Sequence, residues 1–321
     1  MTAAIERAAV VGTGVIGASW TALFLAAGLD VVATDPAPDA ENRLRRDVDD
    51  HWPVLERLGV AVGADRDRLQ FVDDVSEAVS TAEFVQENGP ERIEIKRALF
   101  AELDAATPSG VVIASSSSGL GPTDIQRDCT TEPERVLVGH PFNPAHLIPL
   151  VEVVAGQVTS EAATNTAIEF YRSIGKHPIR VRVELPGHIA NRLQAALWRE
   201  AYALVERGAA TVADIDVAIS SGPGLRWALL GPFVNQHLSG GPGGLSHVLE
   251  HLGPPMVEWW QSFETPDLTP ELAALLVDGV DDELRGVEED AMVRERDALL
   301  EQLLIAKAHC TNFPTNESES R

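Results

Sequence analysis

The sequence predicts an α/β fold, with a doubly wound, Rossmann-type sheet in the N-terminal part and an all-helical C-terminal domain. Three observations support this prediction: a glycine-rich turn between two apolar strands near the start, strand and helix patterns that alternate up to about residue 185, and only helical patterns beyond it. We therefore expect domains at residues 1–185 and 186–321, in keeping with a length of 321 residues.

The first element is a strand, a glycine-rich turn and a helix in the order that binds a dinucleotide. Val10 and Val11 end a short β-branched run, which leads into the turn Gly12-Thr13-Gly14-Val15-Ile16-Gly17 and then into an apolar helix. The first glycine allows the tight bend, the second lets the backbone approach a pyrophosphate, and the third lets helix pack on strand. Unpaired N–H groups at the helix start then face the anion, so this turn is predicted to bind a cofactor.

The second strand of this unit ends at Asp35, 23 residues after Gly12. A carboxylate at this spacing binds the ribose hydroxyls of NAD and would repel the 2′-phosphate of NADP, so NAD is the predicted cofactor. FAD uses the same fingerprint, and the choice of a nicotinamide cofactor therefore depends on the rest of the chain.

Further elements alternate through the first domain. Helices are expected at residues 90–103 and 160–174. The expected strands lie at residues 69–72, 83–86, 111–114, 136–138, 150–154 and 178–183.

The second domain shows only helical signals. Apolar residues recur every three or four positions from Gly187 to Gly208, which predicts a helix with one buried face. Thr211 and Asp214 match a capping box, and Thr269 followed by Pro270 matches a helix start.

Composition excludes several classes of protein. The chain carries 49 acidic and 25 basic side chains, a net charge of −24, so no nucleic-acid partner is expected. No apolar run approaches the roughly 20 residues that a membrane span needs, so no membrane partner is expected either. Cys129 and Cys310 have no paired spacing, and the first seven residues do not resemble a secretory signal. We therefore expect a cytoplasmic protein.

Four stretches place polar side chains at predicted strand ends, within a strand or at a helix start, and in open α/β sheets the strand ends are where ligands bind. Glu152 is the most informative of these side chains, because an unpaired carboxylate inside an apolar strand is costly and requires a partner. The others have ordinary explanations when taken singly, as turn residues or helix caps. The stretches are Ala114–Leu120 with four consecutive serines, Gly139-His140-Pro141-Phe142-Asn143-Pro144, Leu150–Val154, and Gly187–Arg192.

Together these stretches resemble the signature of the 3-hydroxyacyl-CoA dehydrogenase superfamily, in the branch that contains L-gulonate 3-dehydrogenase (lambda-crystallin) and L-carnitine dehydrogenase. The similarity extends from about residue 8 to residue 240, and its most specific parts include GHPFNP at 139–144, PLVEVV at 149–154 and GPGLRWALLGPF at 222–233. The resemblance implies an oxidoreductase that uses NAD, and it implies a homodimer.

The resemblance also implies a role for each polar residue of the four stretches. His140 is expected to be the general base that takes the hydroxyl proton of the substrate. Glu152 is expected to orient the imidazole of His140 and to stabilise the imidazolium that forms. Ser118 and Asn191 are expected to bind the substrate by hydrogen-bonding its reacting oxygen.

Three further residues are candidates for binding. Glu91 and Lys96 match a family segment and are expected to border the nicotinamide end of the cofactor, although a solvated helix start explains them equally well. Arg226 is a candidate to clamp a substrate carboxylate through its bidentate guanidinium. His247 and His251 form an HxxEH pattern, but no further ligands accompany them in the sequence, and we expect no metal.

The expected substrate is a small free L-3-hydroxy acid. Hydroxyacyl-CoA enzymes carry a long helical arm with serine and lysine for the CoA nucleotide, whereas here about 33 residues without a lysine separate Asp35 from Leu69. An L-gulonate-like acid is the first expectation. L-Carnitine is the second, with Trp198, Trp227 or Phe233 as an aromatic face for its quaternary ammonium.

Two alternatives remain open from the sequence. One is a 3-hydroxyacyl-CoA substrate, such as 3-hydroxybutyryl-CoA. The other is a catalytically idle, crystallin-like protein that binds NAD, which the intact pair of His140 and Glu152 disfavours.

Overall fold

The computed structural model describes residues 5–314. The chain divides into two compact units, one that extends to Arg192 and one that begins at Leu193. The boundary predicted from the sequence lies a few residues before this division.

The first unit is built on one eight-stranded sheet. Its strands are β1 (Arg7–Val11), β2 (Asp30–Thr34), β3 (Leu69–Phe71), β4 (Phe84–Glu87), β5 (Val112–Ser115), β6 (Val136–Pro141), β7 (Leu150–Ala155) and β8 (His177–Val181). Their order across the sheet is β3-β2-β1-β4-β5-β6-β7-β8. Strands β1 to β6 are mutually parallel, β7 runs antiparallel to β6, and β8 is parallel to β7. The predicted doubly wound sheet is confirmed, and its strand order reverses between β1 and β4, where such sheets bind their ligands.

Helices cover both faces of this sheet. They are α1 (Val15–Ala26), α2 (Ala40–Leu58), α3 (Val75–Val79), α4 (Ile93–Ala106), α5 (Pro122–Ile125), α6 (Glu161–Ser173) and the first residues of α7 (Ala190–Glu206). Successive residues of β1 alternate between two apolar cores, with Val10 in one and Val11 in the other. In the first core, the rings of Trp20 on α1 and Tyr171 on α6 lie 5.6 Å apart. These packed layers hold the strand ends in fixed positions.

The second unit is helical over the residues that the structure describes. Besides the remainder of α7 it contains α8 (Val212–Ser220), α9 (Pro223–Trp227), α10 (Pro232–Ser239), α11 (Gly244–Ser262), α12 (Pro270–Glu283) and α13 (Glu289–Ala308). Both predicted helix starts are confirmed, because Thr211 and Asp214 form a complete capping box and Thr269 caps α12 with Pro270 in its first turn. Between residues 5 and 314, no helix has the length and apolar character that crossing a membrane requires.

Candidate active site

His140 and Glu152 lie opposite each other on neighbouring strands. They are partners in the antiparallel register of β6 and β7, and His140 Nδ1 lies 2.9 Å from Glu152 Oε2. Both side chains are buried, that of Glu152 completely. Because a carboxylate can only accept, the hydrogen lies on Nδ1, and Nε2 carries the free lone pair.

The second oxygen of Glu152 is held by backbone groups at the start of α7. Its Oε1 accepts hydrogen bonds from Ile189 N at 2.8 Å and from Ala190 N at 3.0 Å. Burial alone would raise the pKa of Glu152, but the hydrogen bonds from His140, Ala190 and Ile189 outweigh it and hold the pKa below its usual value. Glu152 is therefore an ionised partner for the imidazole of His140.

A tight turn delivers these N–H groups. Gly187 and His188 both adopt left-handed backbone, with φ of 72° and 51°. Consequently α7 begins at Ala190 rather than at Gly187, where the helical pattern of the sequence begins. The next residue, Asn191, donates from Nδ2 to the carbonyl of Ser118 at 3.1 Å, which links α7 to the loop after β5.

A cavity of about 440 Å³ opens in front of His140. The structure brings six of the predicted residues to its wall, with Ile16 from the glycine turn beside the polar side chains of the strand ends. These six are Ile16, Glu91, Lys96, Ser118, His140 and Asn191. The volume suits a small ligand, and an imidazole, an amide and a hydroxyl converge on it.

Lys96 has a role that its position in the sequence does not reveal. Its Nζ donates to both oxygens of Glu87 at 2.9 Å and to the carbonyl of Gly89 at 3.1 Å, and both side chains of this ion pair are buried. These contacts occupy its three N–H groups. Lys96 therefore borders the cavity mainly by fixing the backbone at Gly89.

Glu91 is held by the serine loop after β5. Its Oε1 accepts from Ser117 Oγ at 2.6 Å and from the N–H groups of Gly119 at 2.9 Å and Ser118 at 3.1 Å. Burial opposes ionisation here too, but these hydrogen bonds and the charge of Lys96 hold the pKa of Glu91 below its usual value. Glu91 thus adds one fixed negative charge to the cavity wall.

The glycine turn fits a dinucleotide. The helix α1 begins at Val15 after Gly14, with no side chain capping its first N–H groups, and a Cβ at Gly14 would meet no atom within 4 Å. A Cβ at Gly17 would instead lie 1.9 Å from the carbonyl oxygen of Gly12. Uncapped N–H groups beside open space are what a pyrophosphate requires, so the first and third glycines serve the fold and Gly14 leaves room for the ligand.

Asp35 lies at the end of β2, beside this turn. Its Oδ2 accepts from Thr13 N at 2.7 Å and its Oδ1 from Ala37 N at 2.8 Å. The carboxylate is thereby fixed next to the glycine turn, as binding of a ribose requires.

The remaining candidates lie in the second unit and are exposed. Trp198, Trp227 and Phe233 have exposed fractions of 48%, 44% and 72%, and Arg226 is also exposed, on α9. The rings of His247 and His251 lie 4.0 Å apart on α11, but no group of three His, Cys, Asp or Glu side chains among residues 5–314 could hold a metal ion.

His188 also belongs to this site, although the sequence does not single it out. It is completely buried, and its ring centroid lies 5.4 Å from that of His140. Its place in the Gly187–Arg192 stretch was visible in the sequence, but no local pattern indicates its burial or its left-handed backbone.

The sheet, the glycine turn and the His–Glu pair at the strand ends define an NAD-dependent dehydrogenase. Residues 7–184 match the family model for the 3-hydroxyacyl-CoA dehydrogenase, NAD binding domain, and residues 187–272 match that for the C-terminal domain. The chain therefore belongs to the 3-hydroxyacyl-CoA dehydrogenase family, and NAD is its cofactor. The resemblance inferred from the sequence is confirmed.

Two curated relatives and one solved structure illustrate the similarity. The chain is 52% identical to L-carnitine dehydrogenase of Streptomyces coelicolor over 302 residues, 94% of this chain and 95% of that one. It is 52% identical to L-carnitine dehydrogenase of Streptomyces griseus over 91% of this chain and 87% of that one. The structure of 5-formyl-3-hydroxy-2-methylpyridine 4-carboxylic acid 5-dehydrogenase, an NAD+ dependent dismutase, matches with a TM-score of 0.78 and 30% identity, covering 95% and 99% of the two chains.

Proposed function

We propose that this protein oxidises the 3-hydroxyl of L-carnitine, a free L-3-hydroxy acid, to the 3-keto acid. The observation that carries the proposal is the buried pair of His140 and Glu152, whose imidazole opens on a cavity of about 440 Å³. The curated relatives named L-carnitine dehydrogenase support L-carnitine, the second expectation from the sequence, rather than an L-gulonate-like acid.

The proton path follows from the tautomer of His140. Because its Nδ1–H is donated to Glu152, Nε2 accepts the proton of the substrate hydroxyl. The imidazolium that forms is stabilised by the ionised Glu152 at 2.9 Å. The turn from Gly12 to Gly17 and Asp35 would hold NAD, which would supply the acceptor for the hydride of the same carbon atom. Asn191 donates one amide N–H to the carbonyl of Ser118. Its second N–H and the Ser118 hydroxyl are then available to the reacting oxygen of the substrate.

The charges on the cavity wall support a cationic substrate. Lys96 Nζ lies 2.9 Å from Glu87 and 3.9 Å from Glu91, so one cation faces two carboxylates and the group keeps one net negative charge. The side chain of Glu91 is 41% exposed. A carboxylate there attracts a quaternary ammonium and repels the phosphates of CoA. The carboxylate of the substrate then needs a cation from another part of the protein, and Arg226 remains our candidate.

The test is NADH formation with L-carnitine, L-gulonate, L-3-hydroxybutyrate and 3-hydroxybutyryl-CoA as substrates. We expect L-carnitine to have the highest kcat/KM. His140→Asn should abolish turnover and leave the affinity for NAD nearly unchanged, because Asn can still donate to Glu152, whereas the control variant His309→Asn alters an exposed histidine and should behave like the wild type. Faster oxidation of the CoA thioester would refute the proposed substrate class, and no turnover with NAD still bound would favour the idle, crystallin-like alternative.

We also propose a homodimer, formed through the second unit. This unit buries few large apolar side chains and leaves many exposed, among them Phe233, Trp259 and Trp260 with exposed fractions of 72%, 57% and 61%. A surface of this kind is typical of a subunit contact. Light scattering should give twice the chain mass, and Trp259→Glu with Trp260→Glu should give the mass of one chain. A wild-type protein that is monomeric at micromolar concentration would contradict the proposal.

The cytoplasmic location stays a prediction.

A further inference from the structure

His188 lies beside the His140–Glu152 pair but takes no part in the proton transfer described above. It and Asp39 are the two non-glycine residues with left-handed backbone between residues 5 and 314. This conformation is uncommon for a residue other than glycine and persists only where the surrounding structure holds it.

The conformation of His188 directs backbone donors at Glu152. Because Gly187 and His188 are both left-handed, the chain turns sharply, and the next two N–H groups reach Glu152 Oε1 at 2.8 and 3.0 Å. The other carboxylate oxygen is taken by His140 at 2.9 Å. Glu152 Oε1 thus keeps its two donors only while the turn keeps its shape, and these donors anchor the carboxylate that faces His140.

The ring of His188 holds the turn to the loop after β5. Its Nε2 lies 3.2 Å from the carbonyl oxygen of Ser117. A carbonyl can only accept, so Nε2 carries the hydrogen. Nδ1 is buried and has no hydrogen-bond partner in the described part of the chain, and a buried polar atom of this kind next to a reaction centre calls for a functional explanation.

The environment keeps this ring uncharged. Burial lowers the pKa of His188, and the neighbouring His140 lowers it further, against the opposing effects of Ser117, Glu152 and Glu91. The neutral form of His188 is therefore favoured, and in this form Nε2 donates to the carbonyl of Ser117.

We propose that His188 is a positioning residue for the dehydrogenase reaction. Its ring links the carbonyl of Ser117 to the turn that holds Glu152, and it thereby sets the geometry of the His140–Glu152 pair. The proposal rests on the proposed function for its kinetic consequences, but its structural consequence at His140 is independent of the substrate.

The experiment compares His188→Phe, which keeps a ring without nitrogen, with His188→Gln, whose amide can still donate to Ser117. Thr164→Val is the control, because it removes another buried hydrogen bond, from Oγ1 to the carbonyl of Ser160 at 3.0 Å, within α6. For His188→Phe we expect kcat to fall by about tenfold or more with KM changed less than about threefold, as for a residue that orients the catalytic base. His188→Gln should recover most of the activity, and Thr164→Val should lower thermal stability alone.

The second readout is the NMR titration of the His140 ring, identified by its loss in His140→Asn. When the turn loosens, Glu152 loses N–H donors and holds the imidazolium more strongly, so the midpoint should move to higher pH in His188→Phe. An unchanged midpoint in His188→Phe, or equal kinetic losses in the Phe, Gln and Thr164→Val variants, would overturn the positioning role. If wild type oxidises none of the substrates, the proposed function fails, and the titration still decides the role of His188.

Discussion

Replacing Glu152 with Gln tests the central pair with little change of shape. In this structure Oε1 accepts from two backbone N–H groups, and the Gln carbonyl oxygen can keep both contacts. Its NH₂ group must then face His140 Nδ1, and because NH₂ can only donate, Nδ1 must accept a hydrogen bond from it. The hydrogen of the imidazole consequently moves to Nε2, and the ring presents an N–H to the substrate where a lone pair is needed.

The size of the effect follows from two losses. In Glu152→Gln the imidazole of His140 is in the wrong tautomer, and the imidazolium loses the charged partner that lies 2.9 Å away in the buried site of the wild type. A comparable replacement of the carboxylate beside a catalytic histidine costs about 10⁴-fold in kcat. We expect a loss of about 10³ to 10⁴, which corresponds to about 4 to 5.5 kcal/mol in the barrier.

The assay is the initial rate of NADH formation at saturating NAD, together with the dissociation constant for NAD. Glu134→Gln, at an exposed position, is the matched control and should keep the wild-type rate. The double variant His140→Asn with Glu152→Gln should be little slower than His140→Asn alone, because the two residues act as a unit. A Glu152→Gln enzyme that retains more than about a tenth of the wild-type kcat would contradict a catalytic role of this pair.

Three further predictions concern the cofactor turn and the response to pH. Gly17→Ala places a Cβ 1.9 Å from the Gly12 carbonyl oxygen and should lower both the melting temperature and the affinity for NAD. Gly14→Ala, whose Cβ has open space around it, should lower the affinity for NAD alone. Equal melting temperatures for the two variants would contradict this. Asp35→Asn should lower the preference for NAD over NADP by about tenfold or more in kcat/KM, because the repulsion of the 2′-phosphate is removed, and an unchanged ratio would count against a ribose contact. Burial, with the nearby charges of His51 and Lys176, lowers the pKa of His146 to about 3, so as the pH falls this ring is protonated in the unfolded chain before it is protonated in the folded protein. The contribution of neutral His146 to the free energy of unfolding is therefore present above pH 6.5 and is lost as the pH falls, by about 2 kcal/mol at pH 5. Urea unfolding at pH 7.5 and pH 5 should show this loss in wild type and less of it in His146→Asn, and equal losses in both would refute it.

The local elements of this protein could be predicted from the sequence because their causes are local. The turn from Gly12 to Gly17 and the acid at Asp35 lie in one continuous βαβ unit, and the capping pair of Thr211 and Asp214 lies within one helical turn. Each depends on spacing and on the chemistry of adjacent residues, which a sequence displays directly. The reversed direction of β7 was not visible, because an apolar run has the same composition whichever way the strand runs.

The residues available for chemistry can be read from the sequence, but the folded chain sets which of them meet. His140 and Glu152 are 12 positions apart and become neighbours through the antiparallel register of β6 and β7. Lys96 is engaged by a buried carboxylate on β4, and His188 is buried beside the pair of His140 and Glu152 by the turn before α7. The physical reason is that register, burial and desolvation arise from pairing between distant segments, and these set the tautomer, the charge and the free donors of every residue in the site.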